Sequence, residues 1–182
     1  VNCWMIWPNN YIVPVGDSSA SKSFTRDWLN EVRKSNVGDL CNENFKIQGK
    51  DYLFKNFIKS GYVIVRSPFS TPEESASMLF CLSAFQAVGH RQSDDLSFQL
   101  FENGGEIFVD PGKYTYNKES VGRIMVKSAR AHNTLEIDGM NYDMDEFAKY
   151  DSALIRNTVY EWGTALHFSR YWDKFSTKHQ RF

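Results

Sequence analysis

The sequence lacks several features that would point to particular classes of protein. Its three cysteines are an odd number and form no CxxC pair, which argues against a disulfide framework and a zinc knuckle and leaves the redox compartment open. Lys plus Arg (21) nearly balance Asp plus Glu (22), so the net charge is −1. Such a chain has no basic field for a phosphate backbone, and we expect no nucleic-acid partner.

Long apolar runs and an N-terminal leader are also missing. No run approaches the roughly twenty residues of a membrane-spanning helix, so we expect no membrane protein. The chain starts at Val1 without Met or a basic leader, which predicts a processed or excised piece of a longer protein.

What is present indicates a folded domain rich in aromatic residues. The 182 residues are 42% hydrophobic and 24% charged, which is enough to bury one core and excludes intrinsic disorder. Aromatic residues reach 15%. They favour strands and can stack on sugar rings, although core packing accounts for most of them.

Residues 1–50 read as loops around one helix. Turn formers dominate residues 1–20, and the next segment predicts a helix capped by Ser23 or Thr25 and ended at Gly38. Its apolar face comprises Phe24, Trp28, Leu29 and Val32. A second polar loop, GDLCNENFKIQGKD, leads to alternating apolar and polar positions. We therefore place a domain boundary near residue 50, between regions 1–50 and 51–182.

The second region predicts an antiparallel sandwich or barrel, because short apolar segments alternate with turns. Hairpin turns are indicated by Asn103-Gly104-Gly105, Asp138-Gly139 and Trp162-Gly163. The predicted strands are 52–58, 62–66, 78–88, 96–101, 106–109, 134–137, 154–160 and 164–170.

The C-terminal segment indicates an unfinished sheet. Residues 175–182 can begin a strand, but no segment follows to pair with it. We interpret this as truncation and expect an open sheet edge that can support self-association.

Chemistry-bearing residues concentrate between positions 89 and 139. His90 and Gln92 are two apart, so on a strand they face the same side and suit a ligand beside a catalytic group. Asp94 and Asp95 are adjacent and would point to opposite faces, which argues against a glycosidase-like carboxylate pair.

Four separated blocks resemble the heparinase II/III-like family of polysaccharide lyases. They are NNYIVPVGDS, SGYVIVRS, GHRQSDDLSFQLFENGGEIFVDPGKYTY and SARAHNTLEIDG, in the family's order. The resemblance implies a mainly β protein: an antiparallel β-sandwich of the super-sandwich type, preceded by a short helical remnant of an α/α toroid. On that comparison, region 1–50 is the tail of the toroid and region 51–182 the front of a truncated sandwich.

The implied reaction is β-elimination in an acidic, uronate-containing polysaccharide. A base removes the proton at C5, a positive or hydrogen-bonding group stabilises the resulting charge, and an acid protonates the leaving O4. His90 matches the family's active-site histidine on the sandwich side and is the predicted catalytic residue. Because other acid–base groups lie in the family's toroid, we expect this chain alone to be inactive.

The resemblance also implies one divalent cation, calcium or zinc, with a structural role. Its ligands would be Gln92, Asp110 and His132, where Gln92 replaces an imidazole found in many relatives and shifts the preference towards calcium. For Asp110 the alternative is an ordinary turn with Pro111-Gly112, and for His132 it is the entry to a strand.

Three further residues are predicted to bind substrate, each with a simpler alternative. Tyr116 can touch substrate or pack, Arg130 belongs to a basic stretch that can be only a solvated face, and Asn133 can be part of a strand entry. His167 and His179 are expected at the surface.

Two functions are retained for the protein as a whole. The first is a polysaccharide lyase, and the second is a noncatalytic glycan-binding or structural module of the same fold. The resemblance implies a bacterial protein that is periplasmic or secreted, with a cytoplasmic location as the alternative.

Overall fold

A computed structural model describes residues 2–19, 31, 41, 43–83, 90–141 and 152–182. Its larger sheet has six strands, and each pairs antiparallel with the next along the chain. The strands are β1 (Glu43–Ile47), β2 (Lys50–Phe57), β3 (Tyr62–Arg66), β4 (Ser77–Leu82), β5 (Phe98–Glu102) and β6 (Gly105–Phe108).

A smaller antiparallel sheet follows a segment of loops and one short helix. The helix α1 spans Val121–Lys127, and the sheet contains β7 (Leu154–Tyr160), β8 (Gly163–Trp172) and β9 (Thr177–Arg181). Among the described residues, no helix is long and apolar enough to cross a membrane.

The two sheets pack face to face. Phe54 on β2 and Val63 and Val65 on β3 share a buried apolar cluster with Leu166 and Phe168 on β8. Since side chains alternate across a strand, these residues form the inner layer between the sheets. The mainly β, antiparallel sandwich predicted from the sequence is confirmed.

The opposite face of the large sheet is covered by the N-terminal segment. Ile64 points away from Val63 and Val65 and packs in a second cluster with Trp4 and Trp7. The Trp7 ring stacks on Phe101 with ring centroids 6.1 Å apart. β3 is consequently buried on both faces, which explains its continuous apolar run.

Several predicted boundaries and turns are confirmed, because strong alternation and turn residues coincide there. β3 and β7 match their predicted ranges, and β2, β5, β6 and β8 shift by one or two residues at their ends. Asn103 and Gly104 join β5 to β6 with φ of 48° and 85°, as a hairpin turn requires. The predicted strand 78–88 corresponds to β4 as far as Leu82, and residues 84–88 lie outside the described part.

The polar loop predicted before residue 50 is wrong in part, because residues 43–47 form β1. Phe45 stacks on Tyr52 of β2 at 6.0 Å, and Gln48-Gly49 close the hairpin with positive φ angles. The many polar residues of β1 are compatible with an exposed edge strand. β1 thus pairs with β2 across position 50, while the predicted domain boundary itself stays a prediction.

The predicted strand 134–137 is also wrong. Only an isolated bridge joins Ile137 to Met140, around the predicted Asp138-Gly139 turn. The Thr134 hydroxyl donates to the carbonyl of Asp95 at 2.6 Å, so side chains rather than a strand ladder satisfy this loop.

The C-terminal strand does have a partner, contrary to expectation. β9 pairs with the preceding β8, from Phe168↔Arg181 to Trp172↔Thr177. Self-association through an open edge stays a prediction. The predicted helix near 23–38 lies, apart from Glu31, outside the described residues.

Candidate functional site

His90 presents its side chain at the surface beside the N-terminal segment. The imidazole is 71% exposed, and the backbone has φ of 64°, an uncommon left-handed conformation. The Asp17 N–H donates to the His90 carbonyl at 3.0 Å. One backbone hydrogen bond therefore holds the predicted catalytic residue against residue 17.

Gly16 makes this close approach possible. A Cβ at position 16 would lie 2.4 Å from the His90 carbonyl oxygen, and Gly16 itself has φ of 54°. Both observations require glycine, because other residues would clash with backbone and adopt a strained conformation.

Asp17 has a buried carboxylate that three side chains surround. Gln92 Nε2 donates to Oδ1 at 3.1 Å, Arg123 Nη2 donates to Oδ2 at 3.2 Å, and His90 Nδ1 lies 3.6 Å from Oδ2. Burial alone would raise the pKa of Asp17. The hydrogen bonds from Gln92 and Arg123, with the positive charges of Arg123 and Lys127, hold that pKa below its ordinary value.

An aromatic ring adjoins His90, and two cations lie near that ring. The Tyr116 ring meets the imidazole edge to face at a centroid distance of 6.0 Å, and Lys113 Nζ lies 4.4 Å from the Tyr116 centroid. The Arg123 guanidinium is 5.8 Å from the same ring and also donates to the carbonyl of Thr115. We call His90, Lys113 and Tyr116 the His90 surface.

A second cluster is buried and consists of Asp94, Asp110 and His132. One ligand atom from each lies within 4.8 Å of the others. His132 Nδ1 and Asp110 Oδ2 are 2.7 Å apart, while Asp110 Oδ1 accepts the Gly112 N–H at 2.9 Å. Asp110 therefore forms the turn that was its simpler alternative and also contacts His132.

The charges of this cluster are mutually dependent. Burial, followed by the neighbouring carboxylates of Asp110 and Asp95, outweighs the charge of His132 and raises the pKa of Asp94 to about 7. Burial would lower the pKa of His132, but its hydrogen bond with Asp110 and the charges of Asp110 and Asp94 raise it overall. Two carboxylates and an imidazole suit a divalent cation, so the donor set fits the predicted metal.

Gln92 lies between the two groups. Its Nε2 donates to Asp17 and to the carbonyl of Gly112, two residues after Asp110. Its Oε1 is buried and has no hydrogen-bond partner among the described residues. A buried oxygen normally has a partner, so this one is available to bind a cation. The predicted ligand set of Gln92, Asp110 and His132 stays a prediction, to which the geometry adds Asp94.

The other predicted substrate-binding residues have local roles. Arg130 forms a bidentate pair with Glu136 at 2.9 and 3.0 Å on the exposed surface. Asn133 donates to the carbonyls of Phe98 and Val109, both at 2.9 Å, and so ties its loop to the large sheet. Of the three residues, only Tyr116 adjoins His90 in the contacts described; the substrate-binding roles stay predictions.

Asp94 and Asp95 have different partners. Asp95 Oδ2 lies 3.3 Å from Trp172 Nε1 and 3.3 Å from Arg170 Nε, on β8. Asp94 belongs to the cluster with His132. Neither lies on a strand, so the strand geometry assumed from the sequence does not apply here.

Three residues of these groups were missed in the sequence: Asp17, Asp94 and Lys113. Asp17 lies within the block NNYIVPVGDS, where its position after Gly16 indicated only a turn. Asp94 was considered only as a partner of Asp95. Asp17 contacts residues far along the chain, such as Gln92 at 75 positions, and Asp94 contacts residues of separate loops, so local spacing carried no signal for these two.

Comparison with known proteins assigns the chain to a family. Residues 49–181 match the family described as heparinase II/III-like, C-terminal. This chain belongs to the heparinase II/III-like family. The match includes the described residues of both candidate groups except Asp17 and Gly16.

One curated relative is similar to this heparinase II/III-like chain in sequence, and solved structures are similar to it in fold. A heparin-sulfate lyase from Bacteroides stercoris is 32% identical over 101 residues, which are 53% of this chain and 14% of that protein. The heparinase III BT4657 gene product has a TM-score of 0.70 at 21% identity, covering 98% of this chain and 28% of that one.

A further solved structure agrees in fold. The heparan sulfate lyase HepC from Pedobacter heparinus has a TM-score of 0.64 at 19% identity, covering 97% of this chain and 28% of that one. The chain thus spans well under a third of the length of these relatives, and the likeness to the solved structures shows the fold.

Proposed function

We propose that this chain is the β-sandwich part of a polysaccharide lyase that cleaves an acidic, uronate-containing glycan by β-elimination. The observation that carries the proposal is the exposed His90 imidazole in contact with the Tyr116 ring, over which Lys113 places its ammonium. An accessible imidazole, a phenol and a cation within one surface are the group types that this elimination needs.

His90 is suited to proton transfer because it is exposed and is held at its backbone. Histidine changes charge near neutral pH and can take the proton from C5 or deliver one to O4. The Tyr116 ring contacts the His90 imidazole, and its hydroxyl is a candidate for a second proton-transfer or hydrogen-bonding group. Because the chain spans 28% or less of the length of the relatives, the activity is proposed for the whole protein.

Lys113 supports an acidic substrate. Its ammonium lies over the Tyr116 ring, where it can meet a uronate carboxylate without entering a buried ion pair. The relatives named as heparin- or heparan-sulfate lyases support a sulfated glycosaminoglycan among the acidic glycans. The predicted periplasmic or secreted location stays a prediction.

The buried cluster supports a structural cation. Asp94, Asp110 and His132, with Gln92 Oε1 as a further donor, would hold it, and the cation would neutralise their negative charge. It would tie together the loops around residues 94, 110 and 132, which lie next to the His90 surface. The residues that act on substrate remain those of the His90 surface.

The test is the absorbance of the unsaturated uronate that β-elimination creates. The full-length protein is incubated with heparin, heparan sulfate, alginate and hyaluronan in parallel. We expect absorbance to grow with at least one glycan and to be lost in His90→Ala. His167→Ala is the matched control, since His167 lies on β8 and stacks on Phe182.

The rival function predicts a different result. If glycans bind the folded full-length protein but no absorbance develops, the protein is a noncatalytic glycan-binding module. If neither binding nor absorbance is seen with any of these glycans, the lyase proposal fails for them.

A further inference from the structure

We propose that Asp17 is a positioning residue for His90. Asp17 holds the His90 imidazole so that Nε2 faces the substrate. The inference rests on the proposed function and deepens it, because it assigns a device that orients the catalytic group. It is carried by contacts that Asp17 makes with both the backbone and the side chain of His90.

The backbone contact fixes the position of the His90 main chain, from which the imidazole extends. The Asp17 N–H donates to the His90 carbonyl at 3.0 Å, and the absence of a Cβ on Gly16 lets the two segments meet. The positive φ of His90 is thereby stabilised by a neighbour distant in sequence. The ring can rotate about the side-chain bonds, but the main chain of His90 is held in place.

The side-chain contact selects which ring nitrogen faces the carboxylate. Nδ1 lies 3.6 Å from Asp17 Oδ2, longer than a hydrogen bond, and such contacts commonly tighten when substrate binds. A carboxylate beside Nδ1 favours the tautomer with hydrogen on Nδ1. The lone pair is then on Nε2, which is the nitrogen free to accept a proton.

The carboxylate is itself held in place. Arg123 Nη2 and Gln92 Nε2 each donate to one of its oxygens, and Asp17 is almost fully buried. Arg123 is in turn anchored to the Thr115 carbonyl, next to Tyr116. A carboxylate restrained on both oxygens can restrain the imidazole that it contacts.

A purely structural Asp17 would give different observations. In that case the carboxylate would serve only to pair with Arg123, and the exposed His90 ring would keep the Nε2–H tautomer that free imidazole favours in water. The tautomer of His90 therefore separates the two roles without any substrate.

The first measurement is the tautomer of His90 in the full-length protein with nitrogen-labelled histidine, by two-bond proton–nitrogen NMR at a pH where the ring is neutral. His90→Ala identifies the signal. We expect the Nδ1–H form in the wild type and a shift towards Nε2–H in Asp17→Asn. A wild-type ring in the Nε2–H form overturns the proposal, even if the variant fails to fold.

The second measurement is the steady-state kinetics of the glycan reaction. Asp17→Asn retains the oxygen that Gln92 contacts but removes the negative charge. We expect kcat to fall about 10- to 100-fold with little change in KM, as for other residues that orient a catalytic group. Asp51→Asn, which breaks an exposed pair with Lys46, is the control and should leave both constants unchanged.

The two proposals can fail separately. The expected tautomer change with no elimination on any glycan keeps Asp17 as the positioning residue and removes the lyase function. Elimination that needs His90 but is unaffected in kcat by Asp17→Asn overturns the positioning role alone. A rise in KM with unchanged kcat also overturns it, since that result indicates a role in binding.

Discussion

His132 and Asp110 form the shortest contact within the buried cluster, with Nδ1 and Oδ2 2.7 Å apart and side chains 0% and 4% exposed. The contact joins the loop after β6 to the loop after α1. Within this contact, His132 Nδ1 and Asp110 Oδ2 satisfy each other's hydrogen-bonding capacity.

Asp110→Asn is expected to destabilise the fold substantially. The amide keeps an oxygen for the Gly112 N–H but removes the charge that His132 contacts, so the cost should approach the roughly 3–5 kcal/mol of a broken buried pair. Chemical denaturation measures the free energy of unfolding. Asp51→Asn, in an exposed pair, should cost under about 1 kcal/mol; equal losses in the two variants would contradict the prediction.

A divalent cation is expected to stabilise the protein in a pH-dependent way. The pKa of Asp94 is raised to about 7, so its carboxyl group is protonated and a poor ligand below that pH. The increase in Tm on adding calcium or zinc should therefore grow as pH rises through 7. At a free cation concentration of about 100 times Kd, the stabilisation would be about 2.7 kcal/mol.

Asp94→Asn provides the matching variant for the cation. It should reduce the increase in Tm and flatten its pH dependence, whereas Asp51→Asn should leave both unchanged. If the increase is the same in all three proteins, the cation binds elsewhere and the cluster is only an ion-pair network.

Gly16→Ala is expected to damage both stability and elimination. The new Cβ would lie 2.4 Å from the His90 carbonyl, in addition to the strain of a positive φ. Gly49→Ala is the matched control, because Gly49 also has a positive φ but nothing lies within 4 Å of its Cβ position. Both should lose about 1 kcal/mol from strain.

The difference between these two glycine variants isolates the clash. Gly16→Ala should unfold at a lower denaturant concentration than Gly49→Ala, and only Gly16→Ala should slow the glycan reaction of the full-length protein. Equal stabilities would show that the backbone near His90 moves aside without cost.

His179 is buried, so the expectation of a surface position is wrong. Its burial makes the free energy of unfolding depend on pH in the acidic range. Burial, together with the positive charge of Arg181, lowers the pKa of His179 to about 4. The folded state therefore binds fewer protons than the unfolded chain. Its contribution to stability is complete above the unfolded pKa of about 6.5 and is lost as pH falls towards 4.

His179→Phe should remove this part of the acid sensitivity. A phenyl ring can keep the edge-to-face contact with Trp172, at 4.8 Å, and cannot be protonated. As pH falls from 6.5 to 4, the free energy of unfolding should decrease less steeply in the variant than in the wild type. His167→Phe is the comparison and should retain the wild-type slope; identical slopes in all three proteins would contradict the prediction.

The sequence was informative where local pattern and tertiary environment agree. β3 and β7 were placed correctly because apolar runs, alternation and flanking turns coincide. β1 was missed because its exposed edge position permits polar residues, and 134–137 was overpredicted because Thr134 bonds to Asp95 instead of a strand. These errors arise from partners that lie elsewhere in the chain.

Composition, alternation and the four blocks by themselves determined that the chain is a β-sandwich domain of the heparinase II/III-like type, with His90, Asp110 and His132 as its notable residues. Only the tertiary structure brought Asp17 to His90 and Asp94 to His132. The physical reason is that hydrophobic alternation is a local property of the chain, whereas a buried carboxylate gains its role from the charges and donors that folding places around it.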